Sequence, residues 1–192
     1  MAGYQAIGTA GEAIRRLLEQ ARPKEFANAD IKLVQGSDFK PIELGVSLYL
    51  YRVAVSTARR NLPARTSRNN RRLRPPLPVD LFFLITPWAP TAEKQHRLLG
   101  WLMRTLDDTP ALAAAALNPL DAEVFRPQEA IEIIHEPISV QDMNTLWQAL
   151  KLAPQASVTY SARMVTIESD LEMPEAEPVQ TRDYEYRTAV AP

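Results

Sequence analysis

The sequence predicts an α+β fold: one mixed, mostly antiparallel β-sheet packed with about three main helices. Three observations carry this. Apolar residues recur at three- and four-residue spacing in three long segments, the mark of amphipathic helices. Other segments are apolar on alternate positions or on both, the mark of half-buried or central strands. The segments follow the order helix, strands, helix, strand, helix, strand. The 192 residues are 46% hydrophobic and 23% charged, enough for one real core and too short for two comfortable ones.

Residues 4–21 read as the first helix. Ile7, Ala10, Ile14, Leu17, Leu18 and Ala21 share a face, and Pro23 follows as a stop. Ile31–Gln35 is a short strand. Gly45–Val55 is a stronger one, with Val46, Leu48 and Leu50 pointing one way and Tyr49, Tyr51 and Val53 the other. Apolar residues on both faces predict a central strand covered on both sides. Val79–Thr86 repeats that pattern through Leu81, Phe83 and Ile85 against Phe82 and Leu84. The second helix spans Thr91–Leu106, with Leu98, Leu102 and Leu106 at four-residue steps, Thr91 as cap and Glu93 at the favourable end of the dipole. Ala111–Leu117 reads as a short alanine-rich helix. Ala130–Glu136 is a strand near an edge, because Glu132 and Glu136 share a face. The third main helix is Ser139–Leu150, capped by Ser139 with Asp142 three residues on and buried through Val140, Met143, Leu146, Trp147 and Leu150. Ser157–Ile167 is the last strand.

A net charge of −1 hides a strong separation. Residues 59–74 carry Arg59, Arg60, Arg65, Arg68, Arg71, Arg72 and Arg74 and no acid. Residues 168–187 carry Glu168, Asp170, Glu172, Glu175, Glu177, Asp183 and Glu185 against two arginines. Both runs are poor in large aliphatic residues and cannot offset their ordering entropy by burial. The sequence therefore predicts a long mobile arginine-rich loop at 56–78 and an acidic extended tail. Either is a solvated segment or one that orders on a partner.

Catalytic and metal chemistry find few candidates. There is no cysteine, which removes disulfides, thiol nucleophiles and Cys-based zinc sites. His96 and His135 have no metal-ligand spacing with other donors. Gly3, Gly8 and Gly11 follow no strand and precede no Gly-Lys-Ser/Thr, and no Gly-x-Ser-x-Gly elbow occurs. The expectation is no enzyme, no cofactor and no metal site. No apolar run approaches the ~20 residues of a membrane helix, and Met1–Gln5 does not open a secretory signal. Trp147 and Trp101 lie on helical apolar faces and read as core or core rim. Trp88, between Pro87 and Ala89-Pro90, reads as a loop residue available to a partner. The arginines could contact phosphates, but the loop has no aromatic for base stacking. Arginine pairs equally well with carboxylates of a protein surface.

The order of segments also carries a resemblance. Ile14-Arg15-Arg16-Leu17-Leu18 leads to Gly45-Val46-Ser47-Leu48-Tyr49-Leu50-Tyr51-Arg52-Val53. Arg74-Pro75-Pro76-Leu77-Pro78-Val79-Asp80-Leu81 then runs into Phe83-Leu84-Ile85-Thr86. Arg97-Leu98-Leu99-Gly100 is followed by Pro110-Ala111-Leu112, and Leu146-Trp147 precedes Tyr160-Ser161-Ala162-Arg163-Met164-Val165-Thr166-Ile167-Glu168-Ser169. Across residues 3–169 this resembles the N-terminal domain of cap, or tail-terminator, proteins of extracellular contractile injection systems, of the antifeeding-prophage and virulence-cassette type.

The resemblance implies a structural protein with a phage tail-terminator-like fold and no catalytic residues. It implies a six-fold ring at the end of the particle distal to the baseplate, contacting inner-tube and sheath proteins, assembled in the bacterial cytoplasm before any release. Residues 1–169 would then be the cap domain, containing the 56–78 loop, and 170–192 the acidic tail. The expected interface residues are Arg59, Arg60, Arg65, Arg68, Arg71, Arg72, Arg74, Trp88, Glu172, Glu175 and Glu177. Two alternatives stand beside it: a nucleic-acid-binding module using the arginine loop, and a conventional phage tail-completion protein.

Overall fold

A computed structural model describes residues 3–59, 62–66, 70–118 and 124–174. Helix α1 spans Ala6–Gln20, and its face of Ala6, Ala10, Ala13, Ile14 and Leu18 is buried. Strand β1 covers Asp30–Val34 and β2 covers Gly45–Val55. A small hairpin of β3 (Arg65–Thr66) and β4 (Arg72–Leu73) follows, then the long β5, Leu77–Trp88. Helix α2 spans Ala92–Asp108, with the Thr91 side chain accepting a hydrogen bond from the Lys94 amide. Next come β6 (Ala111–Ala113), the one-turn helix α3 (Ala114–Leu117) and β7 (Ala130–His135). Helix α4, Val140–Ala149, is capped by Ser139, whose Oγ accepts from the Asp142 amide. Strand β8, Val158–Ile167, completes the main sheet.

The six-stranded sheet has the order β1-β2-β5-β8-β7-β6. Only β1–β2 is parallel; every other neighbouring pair is antiparallel. The fold class, mixed α and β with a mostly antiparallel sheet, is as the sequence predicts. β5 lies between β2 and β8, and its alternation serves both faces. Leu81, Phe83 and Ile85 enter the large core shared with α1, α2 and α3. Leu84 and Trp88 enter a smaller aromatic core with Phe39 and Trp147 of α4. A period of two on a strand sends neighbours to opposite faces, so one apolar strand supports two layers.

The strands depart from regularity in two places. The β2–β5 register shifts between Leu50 and Arg52, and the β5–β8 register shifts between Val79 and Leu81. In the second, Met164 has φ 67°, in the left-handed region. A residue there with a Cβ is strained, and the surplus residue on β8 is the reason for it.

Residues 111–113 correct the expectation of an alanine helix from Ala111. They pair as an edge strand with β7, and only Ala114–Leu117 is helical. Alanine prefers helix, but three ladder positions and the burial of Leu112 outweigh so small a preference. The placement of 130–136 near an edge holds, with β7 one strand in from β6.

Candidate functional site

The arginine-rich connection joins the far ends of two central strands, β2 and β5, at the end of the sheet where β8 also finishes. Where the sequence predicts a mobile run, residues 65–66 and 72–73 pair as an antiparallel hairpin, Arg65 opposite Leu73 and Thr66 opposite Arg72. Asn70 takes φ 60° in the turn, a conformation that asparagine tolerates better than most residues.

The segment after β8 lies along this hairpin. Leu73 bridges Glu172 antiparallel, the Met173 amide donates to the Arg72 carbonyl at 2.8 Å, and the Arg74 amide donates to the Leu171 carbonyl at 2.9 Å. The first residues of the acidic segment thus act as a third, short strand. Backbone pairing of this kind is indifferent to side-chain charge, so no charge-run argument could reveal it.

Side-chain charge then anchors the hairpin to the body. Glu168 directly follows β8, and its side chain is 5% exposed. It takes the guanidinium of Arg65 in an ion pair and that of Arg126 at 2.9 Å. Arg65 reaches Glu129 as well, at 3.2 Å. Two guanidinium groups around one buried carboxylate offset the cost of taking it out of water. Nearer solvent, Arg71 pairs with Glu172 at 2.5 Å, with both side chains more than half exposed. Arg59, Arg72 and Arg74 are exposed on the same loop. They have no ion-pair partner among the described residues.

The structure therefore brings together four residues singled out in the sequence: Arg65, Arg71, Arg72 and Glu172. The arginine loop and the start of the acidic segment, each expected to be solvated or to order on a partner, pair with one another inside one chain. Arg60, Arg68, Glu175 and Glu177 lie outside the described residues. Glu129 and Arg126 were not foreseen; both stand far along the chain from the loop, and an isolated charge before a strand carries no signal. In the sequence Glu168 reads only as one acid among seven. Its signal was its place immediately after an apolar strand.

Trp88 requires a correction. It is the last residue of β5, pairs with Gly45, and is 5% exposed. Its indole N–H donates to Ser47 Oγ at 2.9 Å, and its ring packs edge-on against Phe39 and Trp147. The flanking prolines suggested a loop, but pairing with β2 carries the strand through Pro87 to Trp88. Trp101 sits at the core rim, where its indole N–H donates to the Ala21 carbonyl.

The two histidines are both exposed, His135 resting edge-on against Tyr160 at 5.4 Å. Among the described residues no three His, Asp or Glu side chains are grouped to hold a metal ion, and no helix is long and apolar enough to cross a membrane.

Comparison with known proteins adds a family to this geometry. The model of the Pvc16 N-terminal domain matches residues 9–181. The chain belongs to that family. Two solved structures share its fold. One is the sheath/tube terminator of an extracellular contractile injection system, PVC, in its extended state. It aligns with a TM-score of 0.63 and 17% identity over 96% of this chain and 65% of that one. The other is the tube-terminating cap of the anti-feeding prophage, AFP. It aligns with a TM-score of 0.62 and 15% identity over 92% of this chain and 60% of that one. The Pvc16-type chain described here thus spans somewhat less than two thirds of the length of either terminator. No curated protein matches the sequence.

Proposed function

We propose that this chain is a structural cap subunit, a terminator that ends the tube and sheath of a contractile injection particle at the end distal to the baseplate. The observation that carries the reading is the family match over residues 9–181 joined to the fold shared with two terminators. In this reading the chain performs no catalytic step. Its work is done by adhesive surfaces on a rigid core, six copies closing into a ring.

The arginine hairpin is the adhesive surface we assign to that work. A ring contact must be presented in a defined direction, and a hairpin tied to the body by Glu168, Glu129 and the 171–173 strand is so presented. Arg65 and Arg71 are engaged in that anchoring. Arg59, Arg72 and Arg74, with the solvent side of Arg71, are left to face carboxylates of tube, sheath or neighbouring subunit. A head-to-tail contact of this type closes only if its rotation closes. Assembly takes place in the bacterial cytoplasm, and the particle carries the subunit outside if it is released.

The test is electron microscopy of particles from cells with and without this gene. Particles with it are expected to be uniform in length, with the tagged chain at the tip far from the baseplate. Particles without it should have tubes and sheaths of irregular length. Uniform, capped particles in its absence would sink the proposal. A gel shift with random oligonucleotides at physiological salt checks the nucleic-acid alternative, and no retardation is expected.

A further inference from the structure

The segment after β8 is fixed at its start and loosely held beyond. Glu168 is 5% exposed and takes the guanidinium groups of Arg65 and Arg126. Ser169 and Asp170 follow in neither helix nor strand. Residues 171–173 then form a strap on the outer edge of β4. Two main-chain bonds hold it there, from the Met173 amide to the Arg72 carbonyl and from the Arg74 amide to the Leu171 carbonyl. The Arg71–Glu172 ion pair adds to them, with both side chains more than half exposed. Leu171 is 60% exposed and buries little apolar surface. Solvent-exposed bonds and ion pairs of this kind lie at the low end of local stability.

The hairpin stands without the strap. β3 and β4 pair with each other, and Arg65 ties them to Glu129 and Glu168. A strap that lifted away would leave the Arg72 carbonyl and the Arg74 amide on an open strand edge, ready for another strand. That edge is basic through Arg71, Arg72 and Arg74, and the strap is acidic through Glu172, with Asp170 beside it.

Each copy of the chain thus carries both halves of a matched joint, linked by the hinge Ser169-Asp170. Two segments of one chain that meet across a hinge can make the same contacts between two copies. A ring of identical subunits needs two unlike surfaces that fit one another. The basic edge and the acidic strap are such a pair.

We propose that the strap exchanges partner on assembly. In the free chain it lies on its own hairpin; in the ring it lies on the hairpin of the next copy. The inference rests on the cap reading and identifies the occupant of the hairpin edge as a second copy of this chain. The antiparallel pairing of Leu73 with Glu172 and its flanking main-chain bonds are the same in both states. Exchange therefore keeps those bonds, and the closeness of neighbouring subunits in a ring supplies the local concentration that favours it. Each copy gives one strap and receives one, so the exchange closes with no strap left over. The stretch from Glu168 to Leu171 reaches ~10 Å, which sets neighbouring hairpins side by side.

Cysteine cross-linking tests this, and the chain has no cysteine of its own. Leu73 and Glu172 face each other between the two main-chain bonds. Antiparallel Cα atoms at such a position stand ~4.5 Å apart, within reach of a disulfide. Neither side chain is in the core. The free double variant Leu73→Cys/Glu172→Cys should oxidise to an internal bridge and run as a single chain. Particles built from the reduced double variant and then oxidised should give a ladder of linked copies. Particles built from an equal mixture of the single variants Leu73→Cys and Glu172→Cys should give linked pairs, since neither variant can bridge within itself. Chains at the particle tip with internal bridges only would overturn the exchange and leave the cap reading standing. Particles whose tips lack the chain would overturn both. If the double variant does not fold, a photo-crosslinking amino acid in place of Leu171 decides. Links between copies in particles support the exchange, and links within one chain alone overturn it.

Discussion

Glu168 and Arg65 form a contact that ties the arginine hairpin to the end of β8. One comes from the residue after the last strand, the other from the middle of the most basic run in the chain. Replacing Glu168 with Gln keeps the shape and removes the charge, leaving Arg65 and Arg126 without their common partner. Breaking a buried pair this way costs about 3 kcal/mol. Arg71→Gln breaks only an exposed pair and should cost no more than about 1 kcal/mol. Urea unfolding compares the two, and limited proteolysis should cut within 56–78 sooner in Glu168→Gln.

Trp88 behaves as a core residue. Trp88→Ala should destabilise the protein by roughly 3–5 kcal/mol. Trp88→Phe keeps most of the packing but leaves Ser47 Oγ, fully buried, without its indole donor. That loss is worth about 1–2 kcal/mol. An effect within about 0.5 kcal/mol for Trp88→Ala, measured by the same unfolding curves, would restore Trp88 to the surface.

Gly45 and Gly100 should respond in opposite directions to alanine. A Cβ at Gly45 would stand 2.2 Å from the Asp30 carbonyl oxygen, so the parallel β1–β2 pair would have to open. Gly45→Ala is expected to cost roughly 2–3 kcal/mol. Gly100 lies within α2 with nothing near the added atom. Gly100→Ala should stabilise by about 0.5–1 kcal/mol through helix propensity. Thermal unfolding reads both.

Glu12 and Arg15 clasp one another along α1 at 2.7 Å, and Arg15 reaches Glu19 at 2.8 Å. Hydrogen bonding from Arg15, with its charge, holds the Glu12 carboxyl below its ordinary value of 4.5 against an opposing push from burial. A carboxyl with a depressed folded-state pKa contributes stability above its unfolded pKa and loses it as pH falls through the folded one. Glu12→Gln should therefore cost up to about 0.5 kcal/mol at pH 7. The difference from the unchanged protein should vanish as the pH drops through the acid range below 4.5.

On the proposed reading, the exposed arginines should separate folding from assembly. Replacing Arg59, Arg72 and Arg74 together with Ser should leave the unfolding midpoint within about 0.5 kcal/mol. The same triple variant should cap particles poorly, read as a broadened length distribution in micrographs. Exposed ion pairs are screened at high salt, so the proposed ring, if held by these arginines, should loosen between about 0.15 and 1 M salt. Particles of normal length from the triple variant would remove the hairpin from assembly.

Much of the framework was legible because it rests on local periodicity. The helical spacing of Ile14 and Leu18, and of Leu98, Leu102 and Leu106, marks faces that are buried in the fold. Thr91 and Ser139 cap their helices as their positions suggest, because a cap is decided within four residues. Gly45–Val55 spans the full strand. The site was legible only as a concentration of arginine. Its anchors, Arg126, Glu129 and Glu168, become neighbours through strand order, which no local pattern records.

By itself, the sequence determined the elements, the apolar faces and the separation of charge, since each follows from neighbours within a few residues. Only tertiary structure decided that Ala111–Ala113 is a strand, that Trp88 is enclosed by Phe39 and Trp147, and that part of the arginine run is held by the chain's own carboxylates. Each of those outcomes depends on a partner distant in the chain. Such a contact pays its loop-closure entropy once, and the rest of the sheet holds it in place.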